Sequence, residues 1–300
     1  MSKRLLITGA EGQLGKALQF QLADKFDLLS TARIPSSTGK KKRNVISLDV
    51  TDRSAVNSVL GDFNPHIIIN CAAYTNVDGC EIHKEKAHDV NVKGLRNLIQ
   101  FSDKDSLIVQ ISSDYVFNGL EGPYAENDHT FPVNYYGKTK LEAENLLRGS
   151  QRKHLIFRGN VLFSEDLFCK SNFFAWVYKS ILKNNSIKVV DDQISNPTLI
   201  SEFVKAIFQA MVMKCEGVFH IGSEDHLSRY EFALNIAKIF KMDTSLISPV
   251  STAQLAKNIP GYVAERPKYS GLITTKIERN ANLTIQSTEF NLKRLKRMLS

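Results

Sequence analysis

The 300-residue chain reads as an α/β protein, a doubly wound parallel sheet followed by a smaller C-terminal α+β lobe. Three observations predict this. Short apolar runs alternate with helical patterns from the N-terminus to residue 158. A glycine-rich turn follows directly on the first run, where open sheets of this class hold their ligands. Beyond residue 158 the alternation gives way to polar stretches with isolated helices and strands.

The first strand is Leu5-Leu6-Ile7, broken by Thr8 and Gly9. Leu14, Leu18 and Leu22 then fall on one helical face. Residues 26–31 and 44–48 form the second and third strands, a helix follows Asp52, and 66–70 is the fourth strand. A long helix is predicted over 84–101, a fifth strand over 106–112 and a sixth over 154–158. Between 166 and 197 one helix rich in aromatic residues (Phe173, Phe174, Trp176) stands among polar stretches, and its aromatics read as lobe packing. A strand at 217–222 and a helix at 228–240 follow. The expected division is 1–158 for a dinucleotide-binding domain and 159–300 mainly for a substrate lobe, with returning elements of the first domain interleaved near 186–222.

Composition narrows the function classes. With 43% hydrophobic and 23% charged residues the chain folds rather than remaining disordered. No apolar run approaches the ~18–20 residues of a membrane helix, and the N-terminus lacks the apolar stretch of a signal peptide. A cytoplasmic protein with no membrane partner is therefore expected. The four cysteines, Cys71, Cys80, Cys169 and Cys215, form no C-x-x-C, and the seven histidines are scattered, so neither disulfides nor a metal site are expected. The net charge of +8 favours anionic ligands. Its basic residues are dispersed except at 40–43 and 293–297, and the second cluster alternates with leucine as the solvated face of a helix does. No nucleic acid partner is expected.

The turn after the first strand, residues 8–15, spells G-x-x-G-x-x-G through Gly9, Gly12 and Gly15 and opens a helix at Gln13 and Leu14. Glycines let backbone N–H groups approach a pyrophosphate at a helix N-terminus. A P-loop fails twice, because Ala10 stands at its first glycine and Ala17 follows Lys16. The second strand ends Ser30-Thr31-Ala32-Arg33 without a carboxylate for a ribose 2′-hydroxyl. Arg33 and the cluster at 40–43 suit a 2′-phosphate, so NADPH is the expected cofactor, with NADH the alternative. Asp49 and Val50, after the third strand, are placed to meet the adenine.

The fifth strand ends at Ser112 and runs into Ser113-Asp114-Tyr115, and Tyr136 lies four residues before Lys140 on a predicted helix. That spacing sets the two side chains on one face, about 5–6 Å apart. A free phenol titrates near ~10, and a neighbouring ammonium draws it toward the range of a working general acid. Ser113, at a strand's carboxyl end, supplies a second donor to the same substrate oxygen.

In this order and at these distances the motifs resemble the extended short-chain dehydrogenases/reductases, and most closely their dTDP-4-dehydrorhamnose reductase branch. The likeness covers nearly the whole chain, including 70–78, Val90-Asn91, 112–119, 136–140, 192–198, 219–222 and 266–270. It implies a Rossmann-type sheet and transfer of hydride from NADPH to C4 of a nucleotide-linked 4-keto-6-deoxysugar. By the same resemblance Tyr136 protonates the C4 oxygen, Lys140 holds the nicotinamide ribose and Ser113 polarises the carbonyl. Ala72, Ala73, Tyr74 and Asn91 join the cofactor contacts, and Thr75, Val77, Asp114, Tyr115, Val161 and Arg266 become substrate contacts. Three positions depart from the family: Val161 replaces a tryptophan that lies over the sugar, Ala17 replaces an acidic residue linked with magnesium in some members, and Ser113 replaces the usual threonine. The regulatory β subunit of methionine adenosyltransferase resembles the same branch and binds NADP(H) and a partner enzyme. A sugar-nucleotide epimerase or dehydratase is the third reading; it calls for an acidic residue after the second strand. A homodimer is compatible with each.

Overall fold

Leu5, Leu6 and Ile7 are fully buried, as are Ile68 and Ile69, which is the burial expected of strands covered on both faces. They belong to a computed structural model that describes residues 2–35, 45–169 and 172–299, so the basic cluster at 40–43 lies outside the described residues. The chain divides into two units: Met1–Ser113, Asn134–Phe157 and Lys214–Val218 form one, and Asp114–Val133, Arg158–Met213 and Phe219–Ser300 the other.

In chain order the first unit contains β1 (Arg4–Thr8), α1 (Gln13–Leu22), β2 (Asp27–Ala32), β3 (Val45–Ser47), α2 (Arg53–Phe63) and β4 (Ile67–Asn70). Then come α3 (Val77–Ile82), α4 (Lys84–His88), α5 (Gly94–Phe101), β5 (Leu107–Ser113), α6 (Tyr135–Gly149) and β6 (His154–Gly159), whose last residues pass into the second unit. Asp52 caps α2, its carboxylate accepting from the Ser54 and Ala55 N–H groups. The helix expected over 84–101 is interrupted: α4 and α5 are joined by a π turn at Asp89–Lys93. Periodicity alone reads the stretch as one helix. The π turn instead answers to tertiary contacts, because Asn91 is buried against the Tyr74 backbone and Gly94 lies where a Cβ would stand 2.6 Å from Val50 Cγ2.

The second unit adds β7 (Leu162–Phe163), α7 (Phe173–Leu182), β8 (Ile187–Val190), β9 (Ile194–Ser195), β10 (Thr198–Leu199) and α8 (Ile200–Val212). After them come β11 (Gly217–Ile221), which starts in the first unit and ends in the second, then β12 (Leu227–Ser228), α9 (Arg229–Phe240), β13 (Ile247–Val250), α10 (Thr252–Asn258), α11 (Thr275–Ala281) and α12 (Thr288–Leu299). Its core joins Phe163, Phe174, Val177, Ile181, Phe232 and Ile236 to Leu292 and Leu295 of α12. A capping box starts α9, with Ser228 and Glu231 each bonded to the other's backbone N–H. On α12 the basic face expected at 293–297 is tied down locally: Lys293 pairs with Glu289, Arg294 with Glu202, and Lys296 Nζ donates to Ile239 O. No described helix is long and apolar enough to cross a membrane.

The seven-stranded sheet has the order β11-β6-β5-β4-β1-β2-β3, and its pairs from β3 to β5 are parallel. From β1 the chain winds outward through β2 and β3, then returns to β4 on the other side of β1 and continues to β5 and β6. The reversal point lies between β1 and β4, at their carboxyl ends. Beneath it runs a buried side-chain relay: Thr8 Oγ1 donates to Asn70 Oδ1 (2.6 Å), and Asn70 Nδ2 donates to Gln110 Oε1 (2.8 Å). It ties the strand of the glycine turn to the strand that carries Ser113. Asn70→Leu strands a buried hydroxyl and a buried amide, so a loss of about 3 kcal/mol in unfolding free energy is expected by denaturant titration. Restoring apolarity at all three positions (Thr8→Val, Asn70→Leu, Gln110→Leu) recovers part of it; no recovery would show that packing, not unpaired polarity, sets the cost.

Candidate active site

Gly9 has φ +63°, and a Cβ there would lie 2.6 Å from Ala72 N and from Cys71 C, so the turn is pressed against the segment leaving β4. At Gly15 a Cβ would lie 2.5 Å from Gly9 O, which brings α1 directly onto the turn. Gln19 Nε2 braces it by donating to Ala10 O (2.7 Å). Gly12 is the N-cap of α1; no side chain caps the helix there, and its first turn carries no acidic residue. Such an N-terminus suits an anionic ligand. Gly9 and Gly12 open onto a cavity of about 240 Å³. Gly9, Gly12, Arg33, Asp49, Val50, Ala72, Ala73 and Tyr74, all singled out in the sequence, line it together with Leu48, Cys71 and Val90. Leu14 and Gly15 are buried behind the turn rather than lining the cavity. The cradle fits the pyrophosphate of a dinucleotide.

A second cavity of about 250 Å³ shares Arg33, Asp49 and Val90 with the first and adds Thr51, Glu85, Lys86 and Asp89. Asp49 Oδ1 accepts from Thr51 N and Oγ1 (2.9 and 2.8 Å), and Asp89 is paired with Lys93 (2.6 Å). Lys86 of α4, absent from the sequence-based candidates, places its ammonium 5.4 Å from the centre of the Tyr74 ring. No motif marks it; a lysine on a short exposed helix carries no signal in one sequence.

The chemistry expected of Ser113, Tyr136 and Lys140 lies at the carboxyl end of β5. Ser113 is the buried last residue of that strand. Asn134 caps α6 by accepting from Gly137 N (2.8 Å), and Tyr135 N donates to Glu81 Oε1 (2.6 Å), so the helix start that bears Tyr136 is held at two points. One turn on, the buried Lys140 donates from Nζ to Ile111 O (2.5 Å), two residues before Ser113. Burial lowers the Lys140 pKa from 10.5 to about 8, with the Glu144 carboxylate opposing the fall. Glu144 itself accepts from Ser112 Oγ (2.5 Å). Asn91 spends its amide on three partners: Oδ1 accepts from Tyr74 N (2.7 Å), and Nδ2 donates to Tyr74 O and Thr139 Oγ1. It thereby couples the cavity wall at Tyr74 to α6. Cys71 is held as a thiol, its pKa pushed up to about 12 by burial.

Within the second unit a cavity of about 420 Å³ is lined by Tyr115, Phe173, Trp176, Lys188, Arg229, Tyr262 and Arg266, with Asn172 and Gln193 among the rest. Arg266 stacks over Tyr262 (4.5 Å) and Arg229 over Phe173 (5.6 Å). Burial raises the Tyr115 phenol, against the lowering pull of Arg229 and Arg266. The reading of the aromatic helix as packing needs correction here. Phe174 is core, but Trp176 is 43% exposed and faces this cavity, because a position two residues on from Phe174 turns off the buried stripe. Of the other substrate candidates, Asp114 is buried and accepts from Ser270 Oγ (2.6 Å), and Thr75 is exposed before α3, which Val77 begins. Val161 packs on the second core with φ +40°, a region a β-branched residue seldom enters.

Comparison with known proteins matches this geometry to one family. The family model described as the RmlD substrate binding domain matches residues 3–299. A dTDP-4-dehydrorhamnose reductase of Aggregatibacter actinomycetemcomitans is 34% identical over 292 residues, covering 92% of each chain. Methionine adenosyltransferase 2 subunit beta of Bos taurus is 28% identical over 284 residues, 92% of this chain and 82% of that one. Among solved structures, the dTDP-4-dehydrorhamnose reductase of Bacillus anthracis in complex with NADP superposes with a TM-score of 0.88 at 32% identity, covering 99% of this chain and 100% of the other. The glycine cradle, the Tyr136–Lys140 helix and the match along nearly the full length lead to one conclusion: the chain belongs to the RmlD substrate binding domain family.

Proposed function

We propose that this protein is an NADPH-dependent reductase of the C4 ketone of a nucleotide-linked 4-keto-6-deoxysugar, with dTDP-4-dehydrorhamnose as its substrate. The observation that carries the reading is the placement of Lys140, whose buried ammonium reaches the Ile111 carbonyl just before Ser113 and stands one turn from Tyr136. NADPH, when bound, supplies the hydride. The glycine turn and the start of α1 hold its pyrophosphate, and Ala72, Ala73 and Tyr74 form the wall beside it. Ser113 and Tyr136 hydrogen-bond the ketone oxygen, and Tyr136 delivers its phenolic proton as negative charge develops there; Lys140 stabilises the phenolate left behind. The second unit supplies the nucleotide's site: Arg229, Arg266 and Lys188 offer three cations to a diphosphate, and Trp176, Phe173 and Tyr262 offer aromatic faces to a base. The chain works in the cytoplasm, whose reducing conditions suit four cysteines that form no disulfide.

The test is the loss of NADPH absorbance with dTDP-4-dehydrorhamnose. Turnover with this sugar supports the reading. Tight NADPH binding without turnover across a panel of keto sugars replaces it with the second reading, a cofactor-binding regulatory subunit, which the 28% identity to the bovine subunit favours.

A further inference from the structure

We infer that Lys86, together with Arg33, selects NADPH over NADH by clamping the 2′-phosphate from α4, an element separate from the strand end where that choice is normally read. The inference rests on the dinucleotide reading above and goes beyond it by assigning the discrimination to a residue that no motif marks.

Four observations carry it. Arg33 and Lys86 line the same cavity of about 250 Å³, which shares Arg33, Asp49 and Val90 with the dinucleotide cavity. The two cations approach from different elements: Arg33 follows β2 and Lys86 sits in α4. Neither side chain has an ion-pair partner among the described residues. The nearby carboxylates are mostly engaged elsewhere, Asp89 by Lys93 and Asp49 by Thr51, which leaves Glu85 as the acidic group at the rim.

Lys86 is also positioned. Its ammonium stands 5.4 Å from the centre of the Tyr74 ring, and Tyr74 lines the dinucleotide cavity. Both backbone polar groups of Tyr74 are held by Asn91. The ring thus gives a flexible four-carbon side chain a preferred place beside the cavity. A ribose hydroxyl gains little from two cations lining one cavity, whereas a dianionic phosphate gains from both, and that difference is the discrimination.

The experiment measures dissociation constants for NADPH and NADH, by nicotinamide fluorescence, in the wild type, Lys86→Met, Arg33→Met and the double variant. Lys86→Met is expected to weaken NADPH roughly tenfold and leave NADH within about twofold, with a smaller dependence of NADPH affinity on salt. The double variant is expected to bind the two cofactors nearly equally. Unchanged NADH binding serves as the control for folding. NADPH affinity unaltered in Lys86→Met, or NADH weakened equally, overturns the assignment while leaving the dinucleotide site intact. A wild type that binds neither cofactor overturns both readings at once.

Discussion

Tyr136→Phe is expected to lower turnover by roughly 10²–10⁴-fold while NADPH affinity stays within about twofold. The substitution removes one oxygen and keeps the ring, so α6 and its caps at Asn134 and Glu81 are undisturbed. The hydrogen bond that is lost strengthens as the ketone becomes an alkoxide. Turnover and kcat/KM should therefore fall nearly together, the pattern of an interaction far stronger in the transition state than in the ground state. Steady-state kinetics beside a cofactor titration separate the two quantities. A variant keeping a tenth or more of the wild-type rate would mean that the proton comes from another group.

Lys140→Met should be equally damaging to turnover but should leave a different fingerprint on stability. The fold holds this ammonium at a pKa of about 8 against an ordinary 10.5. Between those values the unfolded chain carries a proton that the folded chain lacks, so folding becomes more favourable as pH rises from 8 to 10.5. Below pH 8 the buried charge costs about 3 kcal/mol. Methionine removes that cost but leaves the fully buried Glu144 carboxylate without its cation, which by itself costs ~3–5 kcal/mol. The variant should thus be nearly inactive and melt at a lower temperature at pH 7, with a deficit that grows toward pH 10 as the wild type gains stability. A melting temperature above that of the wild type at pH 7 would show that Lys140 suffers from burial more than Glu144 depends on it.

The middle of the sheet was legible because β1 and β4 are apolar runs buried on both faces, and a run such as Ile67-Ile68-Ile69 has few other folded fates. The glycine turn was legible for a steric reason: Gly9 and Gly15 sit where any side chain would collide with backbone. Ser113, Tyr136 and Lys140 were legible as a pattern of residue types at fixed spacing. Other features depended on contacts distant in sequence. Nothing local tells that Asn91 meets Tyr74 and Thr139, or that Lys86 rests on an aromatic ring. Trp176 shows the same limit differently. Its helix is apolar nearly all round, so periodicity could not separate the face on the core from the face on a cavity.

The π turn at Asp89–Lys93 makes chain length itself a constraint on this protein. A π ring holds one residue more than an α ring, and each residue turns a helix by about 100°. Deleting a single residue between α4 and α5 would let the helix run straight through as α. The rest of α5 would then arrive rotated by that angle, and either Asn91 would leave Tyr74 or Gly94 would leave Val50. A substitution scan of this stretch would find individual positions forgiving and still miss the requirement. It is written in how many residues there are, and an insertion–deletion scan is what reads it.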